Sequence, residues 1–566
     1  QIAFLRKLAR RTWAYFETFV TADENWLPPD NFQEHPATRI ASRTSPTNIG
    51  VALLANLCAN DFGYCSAAQL LQRTEKTLAT VGRLERHRGH FYNWYDTHSL
   101  QALPPRYVST IDSGNFAGHL LVLRSGLLEL LDTKILPPRV FDGVQDTAWV
   151  LFDAIRGFIE TMEPSLDPFP AKEALRKIDR LVAELRDPPS NLSTSFLLLQ
   201  RSADWASDLA QVSGLDAESQ TWARALERCV VEHRNDVAHL APWALLPPMP
   251  ENLRQRGSPG PVNRLDALRK ALEQLDDVPT LRQVAALKHA LLPLLDGLRA
   301  ECRGPDSGGA ASPEDSQVDA WLSSLRCALV NASHHALERI RLLEDAASRC
   351  REFSNMDFSF LFDNSRDLLS IGYNVGEHRL DKGYYDLLAS EARLASFYAI
   401  SQGQLTQEHW FALGRLLTTS RGAPALLSWS GSMFEYLMPL LVMPTYENTL
   451  LDQTYKAVVR RQIDYGKQRG VPWGISESGF NAWDVHLDYQ YRAFGVPGLG
   501  LKRGLAEDVV VAPYATVMAL MVAPEAACRN LERLAAEGRQ GRYGFYEAID
   551  YTPSRLPLGV SSATVR

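Results

Sequence analysis

The sequence predicts an all-α protein, one large helical barrel interrupted by a helical insertion. Three observations predict it. Apolar residues recur at three- and four-residue intervals along most of the 566 residues, the signature of amphipathic helices. Alternating apolar/polar runs are scarce. Sequence dense in aromatic, Asn, Asp and Gly residues also lies at both ends, with plain Leu-, Arg-, Glu- and Ala-rich helical sequence between them.

In chain order, Leu71, Thr74, Leu78 and Val81 mark one helical face. Val284, Leu287, Leu291, Leu294, Leu295 and Leu298 mark another, with Thr280 after Pro279 as its N-cap. Val318, Trp321, Leu322, Leu325 and Leu329 mark a third. Val509–Val511 is the best strand candidate, and Pro513 cuts it short. Arg303–Pro313 is Gly/Ser/Pro-rich and reads as a flexible loop. Residues 1–140 are taken as the first half of the barrel, 141–350 as the insertion and 351–566 as the second half. Three separate domains remain the alternative.

Composition narrows the function classes. Apolar residues make up 45% and charged residues 22%, the balance of a soluble globular chain. The longest apolar stretch, Val509–Ala523, contains Pro513 and falls short of the roughly 20 residues a spanning helix needs. The net charge is -7, without a basic stripe, so a nucleic-acid partner is not expected and a neutral or cationic ligand fits better. The 7 cysteines are an odd number without a CxxC pair, which argues against a disulfide framework and a zinc site and for a reducing compartment. The 13 histidines form no ligand cluster, and no Walker, Rossmann, HExxH or serine-triad motif occurs. Neither a metal nor a cofactor is expected. The chain starts at Gln1 without a signal peptide and stops abruptly at Arg566, so it reads as a piece of a longer protein.

Three windows carry chemistry. Val471–Gly504 holds six glycines (Gly474, Gly479, Gly495, Gly498, Gly500, Gly504) and six aromatics (Trp473, Phe480, Trp483, Tyr489, Tyr491, Phe494), with Glu477, Asp484 and Asp488 as carboxylates. That composition suits a site where flat rings stack on aromatics and backbone comes close to ligand, more than helix packing. Gly89–Asn115 sets Trp94 beside Asn93, Asp96, Arg106 and Asp112, an aromatic platform with polar groups that suits sugars; Asp112 could equally be a helix cap. In Gly383–Phe397, a helical reading surrounds Glu391 with Leu387, Leu388, Leu394 and Ala395. A carboxyl in an apolar stripe has a raised pKa, as a general acid needs; a structural ion pair with Arg393 or Arg43 is the alternative. Glu435, Tyr546 and Glu547 are further candidates. Two carboxylates are the minimum for cleaving a glycosidic bond, and composition alone does not choose the pair.

Seven boxes occur in order: Arg43–Gly50, Asn93–Thr97, Tyr107–Asn115, Leu388–Arg393, Ser428–Glu435, Gly474–Gly479 and Tyr543–Ala548. Together they resemble the central "glycoamylase-like" region of bacterial cyclic β-1,2-glucan synthases, glycoside hydrolase family 189. The resemblance implies an (α/α)6 barrel and anomer-retaining transglycosylation that cyclises linear β-1,2-glucan, the chain serving as donor and acceptor. It implies Glu391 as acid/base and Glu477 as nucleophile. It also implies glycosyltransferase and phosphorylase-like partner domains in one parent chain, at the cytoplasmic face of the inner membrane. The family's His-rich box after the position of Arg566 is absent, which puts the last barrel helix in doubt. Trp94, Asp96, Arg106, Asp112, Glu435, Trp473, Trp483, Tyr546 and Glu547 are expected to contact substrate. The glycine- and aromatic-rich setting of Glu477 is expected to be polar and open, keeping it ionised while Glu391 holds its proton. An endo-β-1,2-glucanase and a non-catalytic glucan-binding module are the competing readings.

Overall fold

A computed structural model of the chain describes residues 1–255, 264–303, 313–420 and 422–566. The loop expected between Arg303 and Pro313 lies outside the described residues. The chain forms two compact units, each discontinuous in sequence: residues 1–55, 76–123 and 350–566 make the first, and 56–75 with 124–349 the second.

The all-α expectation holds. Helices α1 (Ile2–Phe19), α2 (Pro46–Asp61), α3 (Ala67–Val81) and α4 (Thr110–Glu129) open the chain. Then come α5 (Arg139–Thr161), α6 (Phe169–Leu185), α7 (Leu192–Ala210), α8 (Ala217–Leu240), α9 (Glu251–Gln255), α10 (Arg264–Asp276), α11 (Leu281–Arg303) and α12 (Pro313–Ser354). The last are α13 (Arg393–Ser401), α14 (Glu408–Ala412), α15 (Met433–Leu437), α16 (Leu450–Arg469), α17 (Pro513–Met518) and α18 (Pro524–Ala536).

In the first unit α13 packs on α14, α15 on α16 and α17 on α18, the consecutive helix pairing of an (α/α)6 barrel. Their boundaries follow local chemistry. Thr449 caps α16 by accepting from the Asp452 N–H at 3.3 Å, and Gly470 ends it in the left-handed conformation at φ 71°. Ser432 and Glu435 form a reciprocal capping box at the start of α15. The expected strand forms over Val510–Val511, pairs antiparallel with Ala548–Asp550, and gives way to α17 at Pro513. The scarcity of strands does not hold. Short ladders are frequent, and Ser478–Trp483 pairs with Tyr489–Arg492 in a hairpin. Ladders of two to four residues tie helix-end loops together and are too short to show a period of two.

In the second unit, packing joins α5 to α6 and α8, α7 to α8, and α10 to α11. Thr280 caps α11 as expected: its hydroxyl accepts from Gln283 N at 3.3 Å, and the Gln283 side chain accepts from Thr280 N at 2.8 Å. Val284, Leu291, Leu295 and Leu298 are buried along that helix, as are Val318, Leu322, Leu325 and Leu329 along α12.

Within the first unit α4 and α13 touch almost backbone to backbone. A Cβ at Gly114 would lie 2.3 Å from Ala395 Cβ and 2.5 Å from its Cα. Gly114→Ala should therefore force the two helices apart and destabilise the protein by about 1–3 kcal/mol. Thermal unfolding checks this, and an unchanged melting temperature would refute the close approach.

Candidate functional site

Helix-end loops of the first unit carry the acidic side chains that converge. Glu391 is not on a helix as the sequence suggested. It sits in a turn, and α13 starts two residues later at Arg393. Its surroundings are apolar nonetheless, because Leu387, Leu388, Leu394 and Ala395 are all buried. Its Oε2 is buried and has no hydrogen-bond partner among the described residues. Burial, then the nearby charges of Glu435 and Glu477, push its pKa up to about 8.

The suggested ion pairs do not form. Arg393 is 1% exposed and turns away from the acid. It donates to the carbonyls of Ser390 at 2.8 Å, Glu435 at 3.0 Å and Tyr436 at 2.5 Å, and to the Tyr455 hydroxyl at 3.2 Å. Arg43 pairs with Asp30 at 3.1 Å and lies over the Trp94 ring at 4.9 Å.

Glu477 lies in the turn between Gly474 and the strand Ser478–Trp483. Gly474 has φ 123°, and a Cβ there would lie 2.6 Å from Thr516 Oγ1, so this turn needs glycine. Tyr514 donates toward the Glu477 carbonyl and Ser476 Oγ, both at 2.8 Å, and Ser476 Oγ accepts from Phe434 N at 3.0 Å. The open setting expected for Glu477 is corrected. It is half-buried, and burial with the charges of Glu435 and Glu547 raises its pKa to about 7. The order expected of the two acids survives, with Glu391 holding its proton more tightly.

Glu435 is structural in this arrangement. Its Oε2 accepts from the hydroxyls of Ser428 at 2.9 Å, Ser430 at 2.5 Å and Ser432 at 3.1 Å and from Ser432 N at 3.0 Å, while Oε1 accepts from Ser430 N at 3.0 Å. Oε1 accepts one such bond, so acceptor capacity remains on that oxygen. Glu547 accepts from Gly479 N at 3.1 Å, and burial raises its pKa although its side chain is open to solvent.

Asp112 lies in the first turn of α4 but is not its cap. Ser109 Oγ takes that part by accepting from Asp112 N at 3.2 Å. The Asp112 carboxyl accepts from Thr47 Oγ1 at 2.6 Å. With its amide nitrogen turned to the acid, Asn93 donates to Asp112 Oδ2 at 2.8 Å and accepts from Trp94 Nε1 at 3.3 Å. Trp94 and Asp112 are thus joined, and burial raises the Asp112 pKa.

The other expected contacts have these surroundings. Trp473 is core, 7% exposed, its backbone held by Asn530 and Thr516. Asp96 closes its own turn by accepting from Ser99 N at 2.7 Å and His98 N at 3.1 Å, which lowers its pKa. Arg106 is exposed and paired with Glu85 at 3.3 Å. Tyr546 packs beneath the Arg566 guanidinium, 5.1 Å from its ring centre. Trp483 is 44% exposed on the hairpin, beside Tyr489 and His35. At the hairpin tip Asp484 caps the turn and Asp488 binds Arg39 at 3.0 Å.

The sequence reading did not single out Tyr385, Tyr514 or Asp30, and it counted Tyr491 only among the aromatics of its window. Glu391, Asp112 and Glu477 all act on Tyr385, and Glu477, Glu547, Asp30 and Glu391 on Tyr491. These residues sit on five separate segments, and no single window could have shown their convergence. Among the described residues no three His, Cys, Asp or Glu side chains could hold a metal ion. A cavity of about 40 Å³ in the second unit, lined by Arg139, His233, Asp236 and Arg339, has room for water but not for a sugar ring.

Comparison with known proteins extends the geometry. The chain is 40% identical over 564 residues to cyclic beta-(1,2)-glucan synthase NdvB of Rhizobium meliloti (strain 1021), covering 99% of this chain. The chain spans 17% of that relative. Residues 383–563 match the family described as glycoamylase, "putative glucoamylase". Similar solved structures include an endo-beta-1,2-glucanase of Chitinophaga pinensis with sophorotriose and glucose, at 11% identity and TM-score 0.48, covering 97% of this chain and 87% of that one. Another is an endo-beta-1,2-glucanase variant of Talaromyces funiculosus with beta-1,2-glucan, at 10% identity and TM-score 0.46, covering 99% and 81%.

The carboxyls separate by their effect on stability. A raised native pKa means that the folded protein holds protons the unfolded chain has released, so stability falls as pH rises from about 4.5 toward 7 and 8. Glu391→Gln and Glu477→Gln should therefore raise the melting temperature at pH 8.5 and leave it unchanged at pH 4. Glu435→Gln should act oppositely, costing about 1–3 kcal/mol by setting an amide N–H₂ against serine donors. Melting curves of the three variants across pH check both signs.

Proposed function

We propose that the first unit is an anomer-retaining transglycosylase that acts on linear β-1,2-glucan and closes it into rings. The observation that carries this reading is a pair of neighbouring carboxyls of unequal proton affinity, Glu391 at about 8 and Glu477 at about 7. Two acids so ordered suit a double displacement. Ionised Glu477 attacks the anomeric carbon of a glucosyl unit while protonated Glu391 gives its proton to the departing glycosidic oxygen. A glucosyl ester on Glu477 results. Glu391, now ionised, takes the proton of an incoming 2-hydroxyl, whose oxygen displaces Glu477 and re-forms a β-linkage. When that hydroxyl belongs to the same chain, the product is a ring.

Glu547, Asp112, Trp94 and Trp483 are the substrate contacts this reading favours: Trp94 and Asp112 are joined through Asn93, and Glu547 and Trp483 are exposed. Glu435 holds the serine loop beside the pair. The 40% identity with a cyclic glucan synthase supports transfer to a sugar hydroxyl over transfer to water. Because the chain spans 17% of that relative, glycosyltransferase and phosphorylase-like parts in one parent chain, at the cytoplasmic face of the inner membrane, belong to the same proposal. No described helix is long and apolar enough to cross a membrane. The second reading is an endo-β-1,2-glucanase, in which water takes the place of the 2-hydroxyl.

Mass spectrometry of products from linear β-1,2-glucan decides between the two. Rings weigh one water less than linear chains of equal length, and exclusively linear products would leave the glucanase. Glu391→Gln and Glu477→Gln should each lower turnover by at least about 10³-fold while glucan binding persists. For the unaltered protein, kcat/KM should rise as Glu477 ionises near pH 7 and fall as Glu391 loses its proton near pH 8. A profile flat from pH 6 to 9 would contradict the assignment.

A further inference from the structure

Tyr491 has no role in the reading above, yet its placement is unusual. It stands on the strand Tyr489–Arg492, where the antiparallel register sets it opposite Gly479, two residues beyond Glu477. Gly479 N is the group that binds Glu547, so one ladder carries Tyr491 past both acids. The Tyr491 side chain is 64% exposed and takes no part in the core. Among the described residues its hydroxyl has no hydrogen-bond partner. The charges of Glu477, Glu547, Asp30 and Glu391 all act on it, and the Tyr514 ring lies near.

Tyr514 makes a useful contrast. That phenol is directed at the Ser476 hydroxyl and the Glu477 carbonyl, so its proton is spent on holding the turn. Tyr491 keeps its proton uncommitted. Crowding and the surrounding negative charges raise its pKa, so it stays a neutral O–H donor throughout the working range. An uncommitted donor among acids gives its hydrogen bond to the group that is ionised. In the proposed reaction that group is Glu477, whose ionisation burial, Glu435 and Glu547 all oppose.

We propose that Tyr491 is a positioning residue for Glu477: once sugar displaces water from around the acids, its phenol donates to the Glu477 oxygen that does not attack, holding the nucleophile ionised and aligned. The inference rests on Glu477 being the nucleophile. It names a group that no comparison assigns. The ring remains free to face the glucosyl unit, as an exposed tyrosine on a rigid strand can.

Tyr491→Phe tests it, because it removes the hydroxyl and keeps the ring. The variant should melt at the temperature of the unaltered protein. Its kcat on linear β-1,2-glucan should fall by about 10- to 100-fold with KM nearly unchanged, and the ascending limb of the kcat profile, which reports the sugar-bound protein, should move to higher pH. Unchanged kcat with an unmoved limb would overturn the proposal. A clear drop in melting temperature would overturn it as well, since it would show the hydroxyl serving the fold. Carboxyl ¹³C NMR of glutamate-labelled protein, with the Glu477 signal assigned from Glu477→Gln, follows the same interaction without turnover. With a bound β-1,2-gluco-oligosaccharide, the Glu477 pKa should be higher in Tyr491→Phe than in the unaltered protein. An inactive unaltered protein would thus count against the transglycosylase reading, and an equal pKa in the two proteins against the role of Tyr491.

Discussion

The site depends on a buried guanidinium. Arg393 carries a full charge into the core, at 1% exposure, without a carboxylate to neutralise it. Taking such a group from water costs several kcal/mol unless every donor direction is answered. Carbonyls of Ser390, Glu435 and Tyr436 and the Tyr455 hydroxyl answer it, and the Tyr455 ring lies under its plane at 5.5 Å. Because Ser390 immediately precedes Glu391 while Glu435 and Tyr436 lie in α15, one side chain locks the turn that carries Glu391 to the helix that organises the serine loop. The direction of the Glu391 carboxyl follows from that lock rather than from any bond of its own.

A second consequence follows from where Arg393 points. Its donors are spent on carbonyls and a tyrosine hydroxyl, so it makes no ion pair with the acid it positions, and its charge only partly offsets the burial that raises the Glu391 pKa. Glu391 stands in the field of Glu477, and Glu477 in that of Glu547; each of the three is desolvated and has a raised pKa. Such an arrangement is unfavourable to the folded state at neutral pH, because protons are retained that water would otherwise take. Active sites commonly hold strain of this kind, and in the proposed reaction it would keep one carboxyl protonated near neutrality. Glu435 differs from them in its hydrogen bonding: hydroxyls and backbone N–H groups of Ser428, Ser430 and Ser432 hold it.

Much of the fold was legible in the sequence because its signals are local. The apolar stripes of α3, α11 and α12, the Thr280 cap and the stop at Pro513 each depend on residues within a turn or two of one another. The short ladders were not legible, since two-residue strands exist only through partners far along the chain. Glu391 was recognised for its apolar neighbours although the helix assumed for it is a turn. Burial there comes from packing of the whole loop, which a helical period happened to imitate. Trp473 and Trp483 belong to one aromatic-rich window, yet one is core and the other exposed. Composition cannot distinguish them, because the side of a loop facing solvent is set by what packs against the other side.

The sequence by itself determined the helical class, the segments dense in site chemistry and the carboxyls available, because residue type and spacing are encoded locally. Only the tertiary structure decided which carboxyls act together. It set Glu435 into the serine loop, closed Asp96 onto its own turn and joined Asp112 to Thr47 and Asn93. It also gathered Tyr385, Tyr491 and Asp30 around Glu391 and Glu477. The physical reason is that proton affinity depends on desolvation and neighbouring charge, and both are properties of three-dimensional surroundings built from segments hundreds of residues apart.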